Sequence, residues 1–236
     1  MTTIGIRPDV RAMPARETII RRSLLACGIL SSLLYLATDI LGGLRYEGYS
    51  FVNQAISELG AIGAPSKPLV DPLFLIYAFL ILMFGIGLFR EAWARNRSLR
   101  ITAWMLIALG GLDLAIGVFA DPTLFAMRQR GTGSIATDAP HIIVTGVQVL
   151  LLLVAIGFGA FALGNRFRSY SVATMVTAIL FGLATSQYAP RLAAGLSTPG
   201  LGILERINVY AFMLWVAVLG IALLKRPRLT LRRTKQ

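Results

Sequence analysis

The chain has 236 residues, 56% of them hydrophobic and only 14% charged, with a mean hydropathy of +0.71. A soluble domain carries about 25% charged residues, so this balance excludes a soluble globular protein and points to a polytopic membrane protein. The net charge of +12 suits nucleic acid at first sight, but its distribution along the chain excludes that partner.

In chain order, residues 1–22 form a polar, basic segment with Arg7, Arg11, Arg16, Arg21 and Arg22. The first apolar segment follows at 23–44. It is longer than the core of a cleaved signal peptide and lacks an Ala-x-Ala-like site, so it reads as an ordinary first spanning helix. Five more apolar segments lie at 72–89, 101–120, 139–163, 170–188 and 205–224, and residues 225–236 form a basic tail. Each apolar segment approaches the roughly 20 residues that cross a bilayer core. The fifth is the most polar, with Thr174, Thr177, Thr185 and Ser186. The single Cys27 lies in the first segment, so no intrachain disulfide forms. The expected fold class is all-α: six transmembrane helices in one bundle.

Between the first two segments lies a stretch of different character, Tyr46 to Ala61. It is polar, aromatic and bounded by glycine. Ser50 is a candidate N-cap with Asn53 three residues on, and Gly60 and Gly63 are candidate stops. These signals predict a short amphipathic helix with Val52, Ile56 and Leu59 on one face, lying over the bundle as a lid. Tyr46 and Tyr49, with Trp93 at the opposite side, suit interfacial belts.

Orientation follows from Lys and Arg. With the N-terminus inside, 17 of the 23 basic residues fall on the inner side and 6 on the outer. This split predicts a plasma-membrane (cell inner membrane) protein with both termini in the cytoplasm. The basic inner face is then an anionic-lipid contact through Arg and Lys, which leaves membrane lipids as the expected partners and no role for nucleic acid. Protein partners are unknown from sequence. Of the acidic residues only Asp9, Glu17 and Glu91 fall inside.

The remaining acids sit with other polar residues in the outer halves of the spans. Ser32, Tyr35 and Asp39 share a face of the first, and Asp113, Gly117 and Asp121 a face of the third. His141, Thr145 and Gln148 share a face of the fourth, and Glu205 and Asn208 a face of the sixth. A carboxylate near the bilayer centre costs at least about 2.5 kcal/mol, so such groups face the bundle interior or a cavity. The expected ligand-binding set is Asp39, Glu58, Asp113, His141, Gln148, Glu205 and Arg206, in an outward-facing polar pocket under the lid. Asp138 is expected to cap the fourth helix, with Pro140 in its first turn. Arg206 at a helix start needs a carboxylate. Glu58 is its expected partner, and Glu58, Asp138, His141, Glu205 and Arg206 are expected to form one network. Gly42-Gly43, Gly110-Gly111 and Gly157-x-Gly159 read as close helix contacts. With one His and one remote Cys, no metal site and no cofactor is expected.

Gly48-Tyr49-Ser50, then Ile56-Ser57-Glu58-Leu59-Gly60-Ala61 and Pro65, resemble the start of the domain-of-unknown-function family 998. So do His141 at the outer end of the fourth helix and Gly202-x-x-Glu205-Arg206 at the start of the sixth. The resemblance spans roughly residues 23–224. It implies a six-helix prokaryotic membrane protein and no established activity. More distantly, the chain looks similar to six-span families implicated in lipid organisation.

Three functional classes are open to these residues. One is a non-enzymatic protein that binds a lipid headgroup or small amphiphile from the outer face. Another is a membrane-embedded hydrolase or transferase, with Ser50 or Ser57 as nucleophile, His141 as base and Asp138 or Glu205 as orienting carboxylate. Neither serine lies in a Gly-x-Ser-x-Gly elbow. The third is a small transporter using Asp39 and Asp113, although no inverted repeat or broken helix pair is evident.

Overall fold

The computed structural model describes residues 10–11, 15–92, 96–120, 125–226 and 230–231. Asp121 and Trp93, and with them several of the basic residues counted above (Arg7, Arg95 and most of the tail), lie outside the described residues. Seven helices are present there: α1 (Ala15–Arg45), α2 (Lys67–Ala92), α3 (Arg97–Phe119), α4 (Ala139–Gly159), α5 (Asn165–Ser186), the short α6 (Ala189–Ala193) and α7 (Leu201–Leu224). Six of the helical stretches are long and apolar enough to cross a membrane.

The helix ends depart from the apolar segments in an instructive way. α1 starts at Ala15, eight residues before the apolar run, because Arg16, Glu17, Arg21 and Arg22 are good helix formers. Hydropathy marks where lipid begins, not where the backbone stops coiling. α2 and α7 likewise begin four or five residues early, whereas α4 stops at Gly159. In the polar α5, Thr174 donates to Tyr170 O (3.0 Å) and Thr185 to Phe181 O (2.7 Å). These hydroxyls are satisfied by their own helix, so the segment stays compatible with lipid.

The long helices form a ring in chain order. α1 packs on α2, α2 on α3, α3 on α4, α4 on α5, α5 on α7, and α7 closes on α1. The end carrying Arg21, Glu91 and Leu223 is called proximal here, and the end carrying the three long connections distal. At the proximal end Arg21 of α1 donates to Glu91 of α2 and to Leu223 O of α7, each at 2.7 Å. Val10–Arg11 and Thr230–Leu231 pair there as a short antiparallel ladder.

Small residues bring backbones together where the ring is tightest. A Cβ on Gly110 of α3 would lie 2.6 Å from Leu82 N, and one on Gly85 of α2 would lie 2.8 Å from Ile107 N. Gly159 makes room for the Trp215 ring. Of the other expected helix contacts, Gly42 meets Val70 of α2 as expected, and the rest are corrected. Gly111 faces open space, Gly157 meets only Met175 at a relaxed distance, and Gly42 and Gly43 receive Leu59, Val70 and Phe51, two of them from the distal loop.

Packing is uneven along the ring. The proximal half is filled by Leu25, Phe84, Leu106, Ile156, Trp215 and Leu219, all essentially inaccessible. Three hydrogen bonds cross it: Thr102 to Ala155 O (3.1 Å), Trp215 Nε1 to Ser171 Oγ (2.9 Å) and Ser32 to Met213 O (2.7 Å). In the distal half no residue of 111–119, 139–154, 175–186 or 203–211 is buried. All faces of α4 from Ala139 to Val154 keep accessible surface, so side chains do not fill the space between the distal halves of α3, α4, α5 and α7.

The loop from Tyr46 to Ser66 folds over the distal ends of α1, α2 and α7. Its helix differs from expectation. Residues Ile56–Gly60 form a 3-10 turn, and Ser50 instead closes a local turn by accepting from Asn53 N (3.2 Å). With so short a helix the predicted common face does not exist: Ile56 and Leu59 are buried, and Val52 is exposed.

Candidate functional site

Arg206, in the second turn of α7, is the centre of the distal end. Its Nε and Nη2 donate to the two oxygens of Asp39 on α1 at 2.9 and 2.7 Å, a bidentate pair. Nη2 also reaches the Tyr49 hydroxyl (2.8 Å), and Nη1 reaches Phe51 O (2.7 Å), Gly202 O (3.0 Å) and Gln54 O (3.1 Å). The guanidinium lies 4.9 Å from the Phe51 ring centroid. Asp39, fully buried, also accepts from the Tyr210 hydroxyl. Glu58 is therefore not the partner of Arg206. Asp39 sits directly across the α1–α7 seam and presents both oxygens, which Glu58 on the loop does not.

The approach depends on Gly202. A Cβ there would lie 2.4 Å from Gln54 O and 2.5 Å from Phe51 O. The neighbouring Glu205 accepts the Ile56 backbone N–H through Oε2. Gly202, Glu205 and Arg206 together hold the backbone of 51–56. Burial pushes the Tyr49 hydroxyl well above its ordinary range, and the hydrogen bond from Arg206 opposes this only in part.

Glu58 belongs to a second knot. Buried, it accepts from Arg130 Nη2 (2.8 Å) and Nε (3.3 Å), and from Ala55 N (2.9 Å). Arg130 comes from the α3–α4 connection, and it also donates to Leu196 O (2.9 Å) and Thr198 Oγ1 (2.7 Å) of the connection before α7. Thr198 in turn donates to Asn53 O (2.7 Å). The three distal connections are thus tied by Arg130, Thr198 and Asn53, around an open depression of about 410 Å³ lined also by Ser50, Gln54, Ser197 and Pro199.

The expected single network does not form. Asp138 makes no side-chain cap on α4. Its carboxylate accepts from Arg128 N (3.1 Å) instead, because the preceding loop folds back on it. His141 contacts Phe125 O through Nδ1 at 3.0 Å. Among the described residues no serine hydroxyl lies within hydrogen-bond reach of His141. Ser50 bonds within its own turn, and Ser57 sits in the 3-10 turn. The nucleophile–base–carboxylate arrangement of a hydrolase is not assembled. Among the described residues there is also no group of three metal-ligating side chains.

A different polar file runs beneath the lid, across the interior of the distal half. Glu205 of α7 lies within electrostatic reach of Tyr35 on α1. Tyr35 packs edge-on against Tyr77 of α2, with ring centroids 5.1 Å apart, and tilted against Phe74 at 5.3 Å. Tyr77 lies within electrostatic reach of Asp113 on α3, and Asp113 accepts from Gln148 of α4 at 2.6 Å. Five of the six ring helices contribute. Among the described residues the Tyr35 and Tyr77 hydroxyls make no hydrogen bond, although Tyr77 is only 7% exposed. Neither Asp113 nor Glu205 has an ion-pair partner there, since Arg206 is committed to Asp39, Arg130 to Glu58 and Lys67 to Asp71.

Of the expected ligand set, the structure brings Asp113, Gln148 and Glu205 to this file. Asp39, Glu58 and Arg206 serve the cap, and His141 stands apart. Sequence reasoning missed Arg130, Tyr77 and Tyr210. Tyr210 had a signal, being four residues beyond Arg206 on one helix face. Arg130 had none, lying in an aperiodic loop.

The family model described as "Protein of unknown function (DUF998)" matches residues 29–222. Compared with curated proteins and with solved structures, the chain matches none. Two stretches that carry the resemblance meet at one hydrogen bond, from the Ile56 N–H to Glu205, while Gly202 and Arg206 receive the loop backbone just before it, at Phe51 and Gln54. The chain belongs to the DUF998 family, and it is an integral membrane protein built as a six-helix bundle.

Proposed function

We propose that the protein binds the polar headgroup of a lipid or other amphiphile in the unfilled distal half of the ring, with the ligand's tail between helices. One observation carries this reading. Tyr77 is nine-tenths buried in an apolar bundle and its hydroxyl has no partner among the described residues. The hydroxyl oxygen itself keeps accessible surface, so a ligand's polar atoms can reach it. Asp113, Gln148 and Glu205 flank it with further polar atoms. The reading is favoured over transport by the filled proximal half, where Phe84 and Trp215 occupy the interior.

In the proposed orientation the distal end faces the exterior of the plasma membrane, and both termini lie in the cytoplasm. The basis is the excess of Lys and Arg on the proximal side. Arg and Lys there would meet anionic lipid.

The test is native mass spectrometry of protein extracted in mild detergent from a bilayer of total membrane lipid. Retention of an amphiphile at a stoichiometric level, lost on Tyr77→Leu or Gln148→Leu, supports the reading. Wild-type protein that emerges folded but free of amphiphile overturns it.

A further inference from the structure

We infer that the bound headgroup carries a cationic nitrogen. This rests on the binding reading above and deepens it. The first ground is charge. Asp113 and Glu205 are the two carboxylates of the interior file, and neither has an ion-pair partner among the described residues. The nearby cations are spent on other acids, so the space is acidic and a cation brought from outside the chain would supply its counter-charge. A carboxylate removed from water demands such a partner or a change of protonation.

The second ground is shape. Phe74, Tyr35 and Tyr77 stand at steep angles to one another, with interplanar angles of 50° and 72° about Tyr35. Rings set this way form a corner of π-faces, not a stack. A cation is attracted to such faces, and aromatic corners backed by carboxylates recognise alkylammonium groups. The third ground is the Tyr77 hydroxyl, accessible and without a hydrogen bond among the described residues on a residue only 7% exposed, within electrostatic reach of Asp113. It gives the site a hydrogen-bonding handle for an N–H or for water carried with the nitrogen. An anionic phosphate alone would meet two carboxylates and, among the described residues of the file, no free cation, so a headgroup of that kind is disfavoured.

The experiment uses the full chain in dodecyl maltoside micelles and equilibrium dialysis of three tritiated probes with one tail: dodecyltrimethylammonium, dodecanol and dodecanoate. Empty micelles supply the partition background. Dodecyltrimethylammonium should bind more tightly than dodecanol by about tenfold or more. Asp113→Asn and Glu205→Gln should each remove most of that preference, whereas Asp71→Asn, outside the file, should leave it intact. Tyr35→Phe keeps the ring face and should retain the preference, and Tyr35→Leu should not. Because Glu205 also holds the lid, Asp113→Asn is the decisive variant should Glu205→Gln fail to fold. Displacement by phosphatidylethanolamine would assign the nitrogen to a lipid headgroup; displacement only by single-chain amines would assign it to a free amphiphile. Dodecanol or dodecanoate binding as tightly as the cation overturns the inference and leaves the binding reading standing. Wild-type chain that binds none of the three overturns both.

Discussion

Arg206 and Asp39 meet through two parallel hydrogen bonds, 2.9 and 2.7 Å long, that join the last long helix of the ring to the first. Asp39 is fully buried and the Arg206 side chain is only 12% exposed. Breaking such a pair leaves one charge uncompensated. Arg206→Ala or Asp39→Ala should each cost about 3–5 kcal/mol, read as a large fall in thermal midpoint by tryptophan fluorescence. The double variant should lose much less than the sum. Additive losses would show that the two charges act independently.

Glu58 and Arg130 form the corresponding pair in the loop knot. Arg130 is partly exposed, so the loss for Arg130→Ala should be smaller, about 1–3 kcal/mol, and local. Limited proteolysis at the 125–138 and 194–200 connections should accelerate several-fold while the thermal midpoint moves little. A variant as protease-resistant as wild type would remove Arg130 as the tie between loops.

Adjacent glycines of α3 should behave oppositely. Gly110→Ala drives a Cβ against the α2 backbone at Leu82 and Ala78, whereas Gly111→Ala points into open space. Gly110→Ala should destabilise by about 1–3 kcal/mol as an overpacked contact. Gly111→Ala should be neutral or slightly stabilising, since alanine is the better helix former. Equal thermal midpoints for the two variants would contradict the α2–α3 contact.

Tyr49 provides a pH dependence. Its folded-state pKa is raised by burial, so the folded protein holds the phenolic proton more tightly than the unfolded chain does. The stabilisation is complete below the unfolded value of about 10 and declines as pH rises above it. Wild-type stability should fall more steeply over that alkaline range than that of Tyr49→Phe. Parallel curves for the two proteins would show that the phenol does not titrate in the fold.

Membrane orientation is checked with single cysteines in a Cys27→Ser background. Val52→Cys and Ser197→Cys lie on exposed positions of the distal loops and should react with an impermeant thiol reagent in intact cells. Labelling only after lysis would reverse the proposed orientation.

How much of this was visible in the chain follows from what each feature depends on. The six apolar segments were legible because lipid imposes hydropathy locally, about 20 residues at a time. The ring order was not, since nothing within a segment says which neighbour it meets. The polar character of Asp113 and Gln148 was legible, and helical spacing placed each on an inward face. Their pairing joins two different helices and required coordinates. That Arg206 needs a carboxylate is legible in the sequence, but which carboxylate it takes is not. Asp39 and Glu58 both lie near it along the folded chain, and only the geometry of the α1–α7 seam separates them. The 3-10 turn looks like a longer helix in the sequence because Ser50 carries an N-cap signal, which it spends on a turn.

The clasp on the first loop has a consequence for the order of assembly. Asp39 and Arg206 are 167 residues apart, so at about 5–20 residues per second the ribosome finishes the second half of the pair roughly 8–30 s after the first. Throughout that interval α1 is already made, its acid has no guanidinium, and the Tyr46–Ser66 loop lacks the α7 residues that hold its backbone. Insertion of the last long helix is therefore the event that closes the ring, neutralises Asp39 and fastens the lid together. A chain truncated after α5 should be recognised as unfinished by quality-control proteases even with five spans in place, because its first helix still presents an unanswered charge.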